Sequence, residues 1–352
     1  MKNIITILLL LVFSINLTAQ HSEPPQKHDD NSAFHIKDFI FGHISNDYDF
    51  HITDIGKHHI SIPLPVIVRN NGGRWFVFMS SKFHHKTESY KGFHIASAGK
   101  YSGQIVETLS DGTEYRPVDL SITKNVFSIL FTVTMLCIIF VSISRRYKRN
   151  PLKAPKGLQA LLEPVILFVT EDIAKAAIGK GFEKYTSYLL TIFFLILTLN
   201  LSGLIPIFPF GANVTGNINV TAALALCTFF VTMISTTKEY WTHKLWTPGV
   251  PVWLKAPLPL MPIVEIISIF TGPIALVIRL FANILSGHMV VTVLLGLIFV
   301  FSALGAFIDS GITVISIVFS IFMMLLDVLV SFIQAYVFTL LSALYFASAK
   351  HP

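Results

Sequence analysis

The sequence predicts an all-α polytopic membrane protein of about five transmembrane helices, with a long tilted C-terminal hairpin and a small β-rich exported N-terminal region. Two observations of composition predict this class. Of the 352 residues, 53% are hydrophobic and only 13% are charged, and the mean hydropathy is +0.66. The formal net charge of +6 comes from clusters of Lys and Arg beside long apolar runs. This pattern indicates control of membrane topology rather than a nucleic-acid surface, and it excludes an ordinary soluble domain.

The first 20 residues are typical of a signal peptide. Lys2 gives a positive start, residues 4–17 form an apolar core, and Leu17-Thr18-Ala19 is an acceptable cleavage site. Because the core is too short for a comfortable span, we expect removal of this segment, with a retained anchor as the alternative. In both cases the segment that follows is exported.

Residues 21–118 form the predicted exported, periplasmic region, which is partly β. The alternating runs 61–68 and 75–79 flank the turn residues Asn70-Asn71-Gly72-Gly73 and predict a hairpin, and Asp111-Gly112 marks a second turn. Ten of the 13 histidines fall between His21 and His94. This enrichment leaves open a metal site, a pH sensor or simply a His-rich surface. No Cys or carboxylate pattern beside the histidines supports a defined metal site, and we expect no cofactor.

The predicted membrane domain covers residues 119–352. The first span is followed by Arg145-Arg146-Tyr147-Lys148-Arg149, so the positive-inside rule places this end in the cytoplasm, in agreement with the exported N-terminus. The C-terminus is then cytoplasmic as well. Spans are predicted at 122–144, 187–207, 219–235, 261–301 and 312–346, with an amphipathic surface helix at 157–184.

The fourth span is unusually long. A helix of roughly 40 residues would extend about 60 Å, which is twice the thickness of the hydrocarbon layer. We therefore expect it to be strongly tilted or bent near Gly272-Pro273. So long a hairpin is typical of a surface that wraps beside another object in the membrane.

The last two spans carry ionisable residues: Glu265, Arg279, His288 and Asp327. A charged side chain within a membrane span costs at least a few kcal/mol, and such groups are by default part of a pathway. Glu265 and Arg279 are separated by almost four helical turns, so they share a face about 21 Å apart along the axis. Near the same face are two further polar residues, Ser268 and Asn283.

The order of these residues predicts two polar clusters on either side of a permanent cation. Asp327 precedes Gln334 by seven residues, and with Gln334 beside Arg279 it reaches a depth similar to that of His288. His288 and Asp327 would form an outer cluster, while Glu265 and Ser268 would form an inner one. His and carboxylate groups exchange protons near neutral pH, whereas arginine does not. Arg279 would therefore block direct proton flow and attract a carboxylate from a partner.

Three groups of residues carry a resemblance to a known family. Residues 278–283 (IRLFAN) with Gly287-His288 resemble the arginine helix of the a subunit of F-type ATP synthases. Residues 334–341 (QAYVFTLL) resemble the final-helix signature of that family, and residues 199–206 (LNLSGLIP) with Asn219-Val220-Thr221 fit its middle helices. The resemblance extends over about residues 122–349.

The resemblance implies a stator subunit, without catalytic activity of its own, in the bacterial inner membrane. Its partners would be the c-subunit ring, the b subunits of the peripheral stalk and the other ATP synthase subunits. Arg279 would face the ring carboxylate and Gln334 would support it. His288, Asp327 and Asn283 would line the channel that opens to the exported side, and Glu265 and Ser268 the channel that opens to the cytoplasm. Many bacterial members have Glu where His288 stands and His where Asp327 stands, so this chain carries a swapped pair.

Two other classes of protein remain open. A proton-coupled secondary transporter would require a substrate site, usually built from broken helices in paired repeats, and no clear internal repeat is present. An intramembrane metalloenzyme would require His288, Asp327 and Glu265 to converge, but the chain lacks a His-Glu-x-x-His pair. Cys137 and Cys227 both lie in apolar runs, which argues against a disulfide framework.

Overall fold

The computed structural model describes residues 46–55, 58–83, 88–96, 101–109, 112–149, 154–205, 208–245, 260–301 and 306–350. The predicted signal peptide and most of the histidine-rich segment before His51 lie outside these residues. Within the described residues an N-terminal β module precedes a helical bundle, and the bundle makes up most of the structure.

The described residues of the β module form eight strands in three small antiparallel sheets. The sheets are β1–β2, β4–β3–β8 and β5–β6–β7. The strands are β1 Asp49–Ile55, β2 His58–Pro63, β3 Pro65–Arg69, β4 Trp75–Met79, β5 Phe93–Ile95, β6 Ile105–Thr108, β7 Glu114–Tyr115 and β8 Val118–Asp119.

The predicted hairpin is present, but its first strand is shorter than expected. β3 pairs with β4 from Pro65↔Met79 to Arg69↔Trp75, and residues 70–73 form the turn. The expected single strand 61–68 is divided at Leu64, and β2 pairs with β1 in another sheet. Pro63 and Pro65 explain the division, because proline lacks the N–H that a continuous central strand would donate.

The helical part agrees with the predicted spans to within a few residues at most ends. The helices are α1 Lys124–Arg149, α2 Leu158–Leu167, α3 Ala176–Ile178, α4 Glu183–Gly203, α5 Ile218–Ile234, α6 Lys238–Leu245, α7 Leu260–Phe301 and α8 Ala306–Lys350. Four of the described helices are long and apolar enough to cross a membrane, and α5 with α6, bent by 106°, gives up to five. The third predicted span is 17 residues long in the structure, a rise of about 25 Å.

The expected surface helix 157–184 is not one continuous α-helix. A π-helical segment, Phe168–Lys175, separates α2 from α3, and α3 ends at Gly179 with φ 68°. Val169, Ile173 and Ile178 are buried against the bundle. Their spacings of four and five residues suit an i→i+5 helix, which keeps all three on one face. The segment thus contributes to the core, although its polar residues remain exposed.

The core of the bundle is centred on α4. Leu189, Ile192 and Ile196 are fully buried, and Phe338 and Phe346 of α8 pack in the same cluster. α7 and α8 form the predicted long hairpin, and α7 continues through Pro273 as one helix. Gly272 permits close approach of α8, since a Cβ there would lie 2.8 Å from the Tyr345 hydroxyl.

The β module is attached to the start of α1 by backbone and side-chain contacts. Lys124 N–H donates to the Asp47 carbonyl at 2.9 Å, and Asn125 N–H donates to Oδ1 of Asn46 at 3.1 Å. Phe50 of β1 packs against Phe127 of α1 and Phe208 of the α4–α5 loop, with ring centroids 5.6 and 5.3 Å away. The module therefore lies over one end of the bundle.

Candidate functional site

Arg279 lies on the exposed side of α7, and the structure gives its guanidinium no hydrogen bond or ion pair with any described residue. Exposed residues three, four, seven or eight positions away on this side are small or polar, namely Thr271, Ala275, Ala282, Asn283 and Ser286. Larger side chains such as Ile274 and Ile278 flank them. A helix of another chain can thus approach Arg279 closely, because the neighbouring side chains on the same face are small.

Gln334 of α8 contacts Asn283, four residues beyond Arg279. The amide nitrogen Nδ2 of Asn283 donates to Oε1 of Gln334 at 3.0 Å, and Gln334 is almost completely buried. The sequence predicts a role for Gln334 on the assumption that it lies at the level of Arg279. The observed hydrogen bond is to Asn283, which lies about one helical turn, or roughly 6 Å along α7, from Arg279. Gln334 is thus linked to the arginine helix through Asn283.

Asp327 is buried against the backbone of α7 at Gly287. A Cβ atom at Gly287 would collide with Oδ1 of Asp327, so the glycine is what allows the carboxylate to reach this position. Oδ2 of Asp327 has no hydrogen-bond partner among the described residues. A carboxylate in this state is able to bind water or a proton.

His288 follows Gly287 but contacts a different part of the bundle. Its Nε2 atom lies close to Gly203 at the end of α4, where an added Cβ would be 3.4 Å away. The same added Cβ would be 3.2 Å from the Ala212 carbonyl oxygen. His288 and Asp327 therefore reach similar depths, as expected, while the imidazole faces the α4–α5 loop and the carboxylate faces α7.

Glu265 and Ser268 form a second polar group, about 21 Å and about 16 Å along α7 from the level of Arg279. Oε2 of Glu265 accepts from Lys244 Nζ at 2.6 Å. Ser268 Oγ lies 3.4 Å from the same ammonium and 3.3 Å from Oε2. Lys244 is a site residue that the sequence does not predict. It is 21 residues from Glu265, and only the bend between α5 and α6 brings it to the start of α7.

The structure brings the seven predicted site residues into one ordered series along the hairpin. Glu265 with Ser268 lies near one end of α7, Arg279 follows, and Asn283 with Gln334 precedes His288 and Asp327. Within the described residues there is no group of three or more His, Cys, Asp or Glu side chains that could hold a metal ion. Along this series, proton-exchanging groups lie on both sides of one permanent cation, Arg279.

Comparison with known proteins gives two family matches. Residues 126–347 match the family described as ATP synthase A chain. Residues 39–124, which include the whole β module, match a separate family described as "Domain of unknown function (DUF8433)". The boundary between the two matches falls at the first turn of α1.

Individual relatives support the first match. The chain is 42% identical over 239 residues to ATP synthase subunit a of Pelodictyon phaeoclathratiforme (strain DSM 5477 / BU-1), covering 66% of each chain. It is 41% identical to ATP synthase subunit a of Chloroherpeton thalassium (strain ATCC 35110 / GB-78), covering 66% of this chain and 67% of the relative. It is 38% identical to ATP synthase subunit a of Anaeromyxobacter dehalogenans (strain 2CP-C), covering 74% of this chain and 68% of the relative. The matched family covers well over half of the chain, which therefore belongs to the ATP synthase A chain family.

Proposed function

We propose that the chain is the stator subunit of the membrane sector of an F-type ATP synthase and carries protons to and from the carboxylates of a rotating c-subunit ring. The family membership supports this function. The observation that carries the mechanism is Arg279, an exposed cation on a long apolar helix, with small or polar side chains one and two turns away on the same face. A cation in this position needs an anionic partner, and a ring carboxylate supplies one.

The hydrophobic surface of the long hairpin supports a large partner within the membrane. α7 and α8 expose many large apolar side chains, for example Phe270, Ile278, Phe319 and Phe322. Lipid covers part of such a surface, and the side around Arg279 suits packing with another helix. The b subunits of the peripheral stalk and the other subunits would contact the remaining surface, and the subunit has no catalytic activity of its own.

The two polar groups on either side of Arg279 would serve as the ends of two offset half-channels. His288, Asp327 and Asn283 would line the one that opens to the exported side, and Glu265 with Ser268 the one that opens to the cytoplasm. The unpartnered Oδ2 atom of Asp327 supports a proton-exchanging role on the exported side. Lys244 would hold the Glu265 carboxylate in place beside the cytoplasmic opening.

A proton would reach a ring carboxylate through the outer group and neutralise it. The neutral carboxyl can enter lipid at low cost, whereas the charged form cannot. After nearly a full rotation the proton would leave through the inner group, because Arg279 favours the ionised carboxylate. Each elementary charge that crosses the membrane gains about 2.3 kcal/mol per 100 mV. Arg279 does not release its proton, so it prevents a direct leak between the two groups.

The proposed orientation follows from the distribution of charge. The cluster Arg145, Arg146, Lys148 and Arg149 at the end of α1 favours a cytoplasmic location for that end. The β module, which lies at the other end of α1, would then be exported into the periplasm of a bacterial cell. A signal peptide over residues 1–20 would initiate this export.

The proposed function is tested by replacing Arg279 with alanine in the complete ATP synthase. We expect proton-driven ATP synthesis in reconstituted vesicles to fall at least about 100-fold, because the ring carboxylate loses its counter-charge. Arg145→Ala is the matched control, since it removes an exposed arginine from the end of α1 and should leave synthesis within about twofold. Retained proton-driven synthesis in the Arg279→Ala enzyme would overturn the proposal.

A further inference from the structure

A small polar pocket lies where the β module meets the helical bundle. The module contributes Tyr48, Arg116 and Asp119 to its wall, the segment before α1 contributes Ser121 and Thr123, and the start of α5 contributes Asn217 and Asn219. Its volume is about 30 Å³, enough for one or two water molecules. The lining is mostly polar, so water rather than an apolar ligand would occupy it.

One hydroxyl that lines this pocket is buried without a partner. Thr123 is 9% exposed, and its Oγ1 forms no hydrogen bond with any described residue. A threonine before the first turn of a helix normally caps an N–H of that turn. Here Oδ1 of Asn46 accepts from Asn125 N–H instead. The β module thereby leaves the Thr123 hydroxyl available to a water molecule in the pocket.

More unpartnered polar atoms lie at this same end of the bundle. They belong to Ser128 of α1, Asn200 of α4 and Asn213 of the α4–α5 loop, all of which are buried. None of the three atoms has a hydrogen-bond partner among the described residues. Buried polar atoms of this kind are usually satisfied by internal water. Ser128 follows Thr123 by five residues on α1, Asn200 precedes Gly203 by three residues, and Asn213 directly follows Ala212.

That segment is the one that contacts His288. Nε2 of His288 lies against Gly203, which also approaches the Ala212 carbonyl, and Lys124 of the first turn of α1 is within electrostatic range of the imidazole. Phe208 of the same loop packs against Phe50 of the β module. The β module, the first turn of α1 and the α4–α5 loop therefore meet at the end of the bundle where His288 contacts Gly203.

We propose that the β module forms the entrance of the outer proton path, and that the junction pocket is its first internal water site. Protons would pass along hydrogen-bonded water from the pocket, by Thr123, Ser128, Asn213 and Asn200, to His288 and then Asp327. The Tyr48 hydroxyl donates to Oδ2 of Asp119 at 2.6 Å at the pocket wall. Burial and the Asp119 carboxylate raise the pKa of Tyr48, so this phenol stays neutral and holds the wall together. This inference depends on the proposed function.

The test uses the complete ATP synthase, free of native cysteines, with Thr123→Cys as the reporter. Ag⁺ is a small aqueous cation that replaces the thiol proton and would fill the pocket. We expect Ag⁺ to reduce ATP-driven proton pumping in the Thr123→Cys enzyme at least tenfold. Ser128→Cys is a second reporter, which provides the test if the Thr123→Cys enzyme does not assemble. Val77→Cys is the matched control, because Val77 is 68% exposed on β4 and does not line the pocket.

The possible results separate the two proposals. Loss of pumping in the reporter enzymes, with the Val77→Cys enzyme within about twofold of the untreated rate, supports the entrance. Thiols that react fully while pumping is unchanged would overturn it, and so would thiols that stay unreacted in an enzyme that pumps at the full rate. Either of these results leaves the proposed function intact as long as Arg279→Ala abolishes synthesis. Retained ATP synthesis in the Arg279→Ala enzyme would overturn the proposed function itself.

Discussion

At the scale of single residues, two glycines determine where the polar groups of the hairpin lie. Gly287 leaves room for the Asp327 carboxylate, and Gly203 leaves room for the His288 imidazole. Gly287 belongs to the recognised motif beside His288. The need for glycine at this position is explained only by the packing of α8 against α7. A side chain at either position would displace an ionisable group from the interior of the bundle.

Gly287→Ala should therefore reduce proton flux strongly. The added methyl group would meet Oδ1 of Asp327 and force the carboxylate away from α7. We expect at least about a tenfold loss of ATP-driven proton pumping, with assembly of the complex retained, since alanine favours a helix. Ser286→Ala changes the neighbouring exposed position and should pump within about twofold of the unmodified enzyme. Equal pumping by both variants would show that the position of Asp327 is not important.

Sequence reasoning identified the ionisable residues because charges in long apolar runs are conspicuous. It placed Glu265 with Ser268, and it gave His288 and Asp327 similar depths. It missed Lys244, whose contact with Glu265 depends on the bend after α5. It did not predict the hydrogen bond of Gln334 to Asn283, because the relative register of two antiparallel helices depends on side-chain packing that periodicity alone does not reveal.

At the scale of elements, the start of α1 is stabilised from outside the helix. Thr123 precedes the helix, yet Asn46 provides the cap for Asn125 N–H and the Asp47 carbonyl accepts from Lys124 N–H. The sequence predicted this span from its hydropathy and flanking charges. It could not predict a cap located 79 residues away, because local start signals concern neighbouring residues only.

Asn46→Ala should loosen this end of α1. Loss of a helix cap costs about 1 kcal/mol, which corresponds to roughly fivefold faster amide exchange in the first turn when opening is local. Hydrogen exchange with mass spectrometry on the complete complex measures this effect in peptides that cover residues 124–128. Asn71→Ala, at the exposed hairpin turn, is the control and should leave these peptides unchanged. Unchanged exchange in Asn46→Ala would mean that another group caps the helix.

The π-helical segment shows a second limit at this scale. The pattern of 157–184 predicted an amphipathic helix, and the buried face is present. The local change from α to π geometry was not predicted, although Val169 and Ile178, nine residues apart, would lie on opposite faces of an α-helix. Contact with α4 and α8 decides between the two geometries.

At the scale of the whole molecule, the charge distribution predicts which ends of the helices lie outside the cell. In an otherwise cysteine-free chain, Asn71→Cys should react with a membrane-impermeant maleimide in intact cells from which any outer membrane has been removed. Lys350→Cys, near the C-terminus of α8, should react only after the membrane is permeabilised. The two variants serve as controls for each other. Labelling of Lys350→Cys in intact cells would reverse the proposed topology.

The covalent connection between the β module and the bundle has a further consequence. Leu120 N–H and Ile122 N–H donate to the carbonyls of Ile67 and Pro65, so the chain remains part of the sheet until α1 begins. No free tether exists there, and the module must follow every tilt of the helix as a rigid extension of it. A fluorescent reporter inserted after Ser121 would break this connection, whereas one inserted at the Gly72–Gly73 turn would travel with the bundle and report its motion directly.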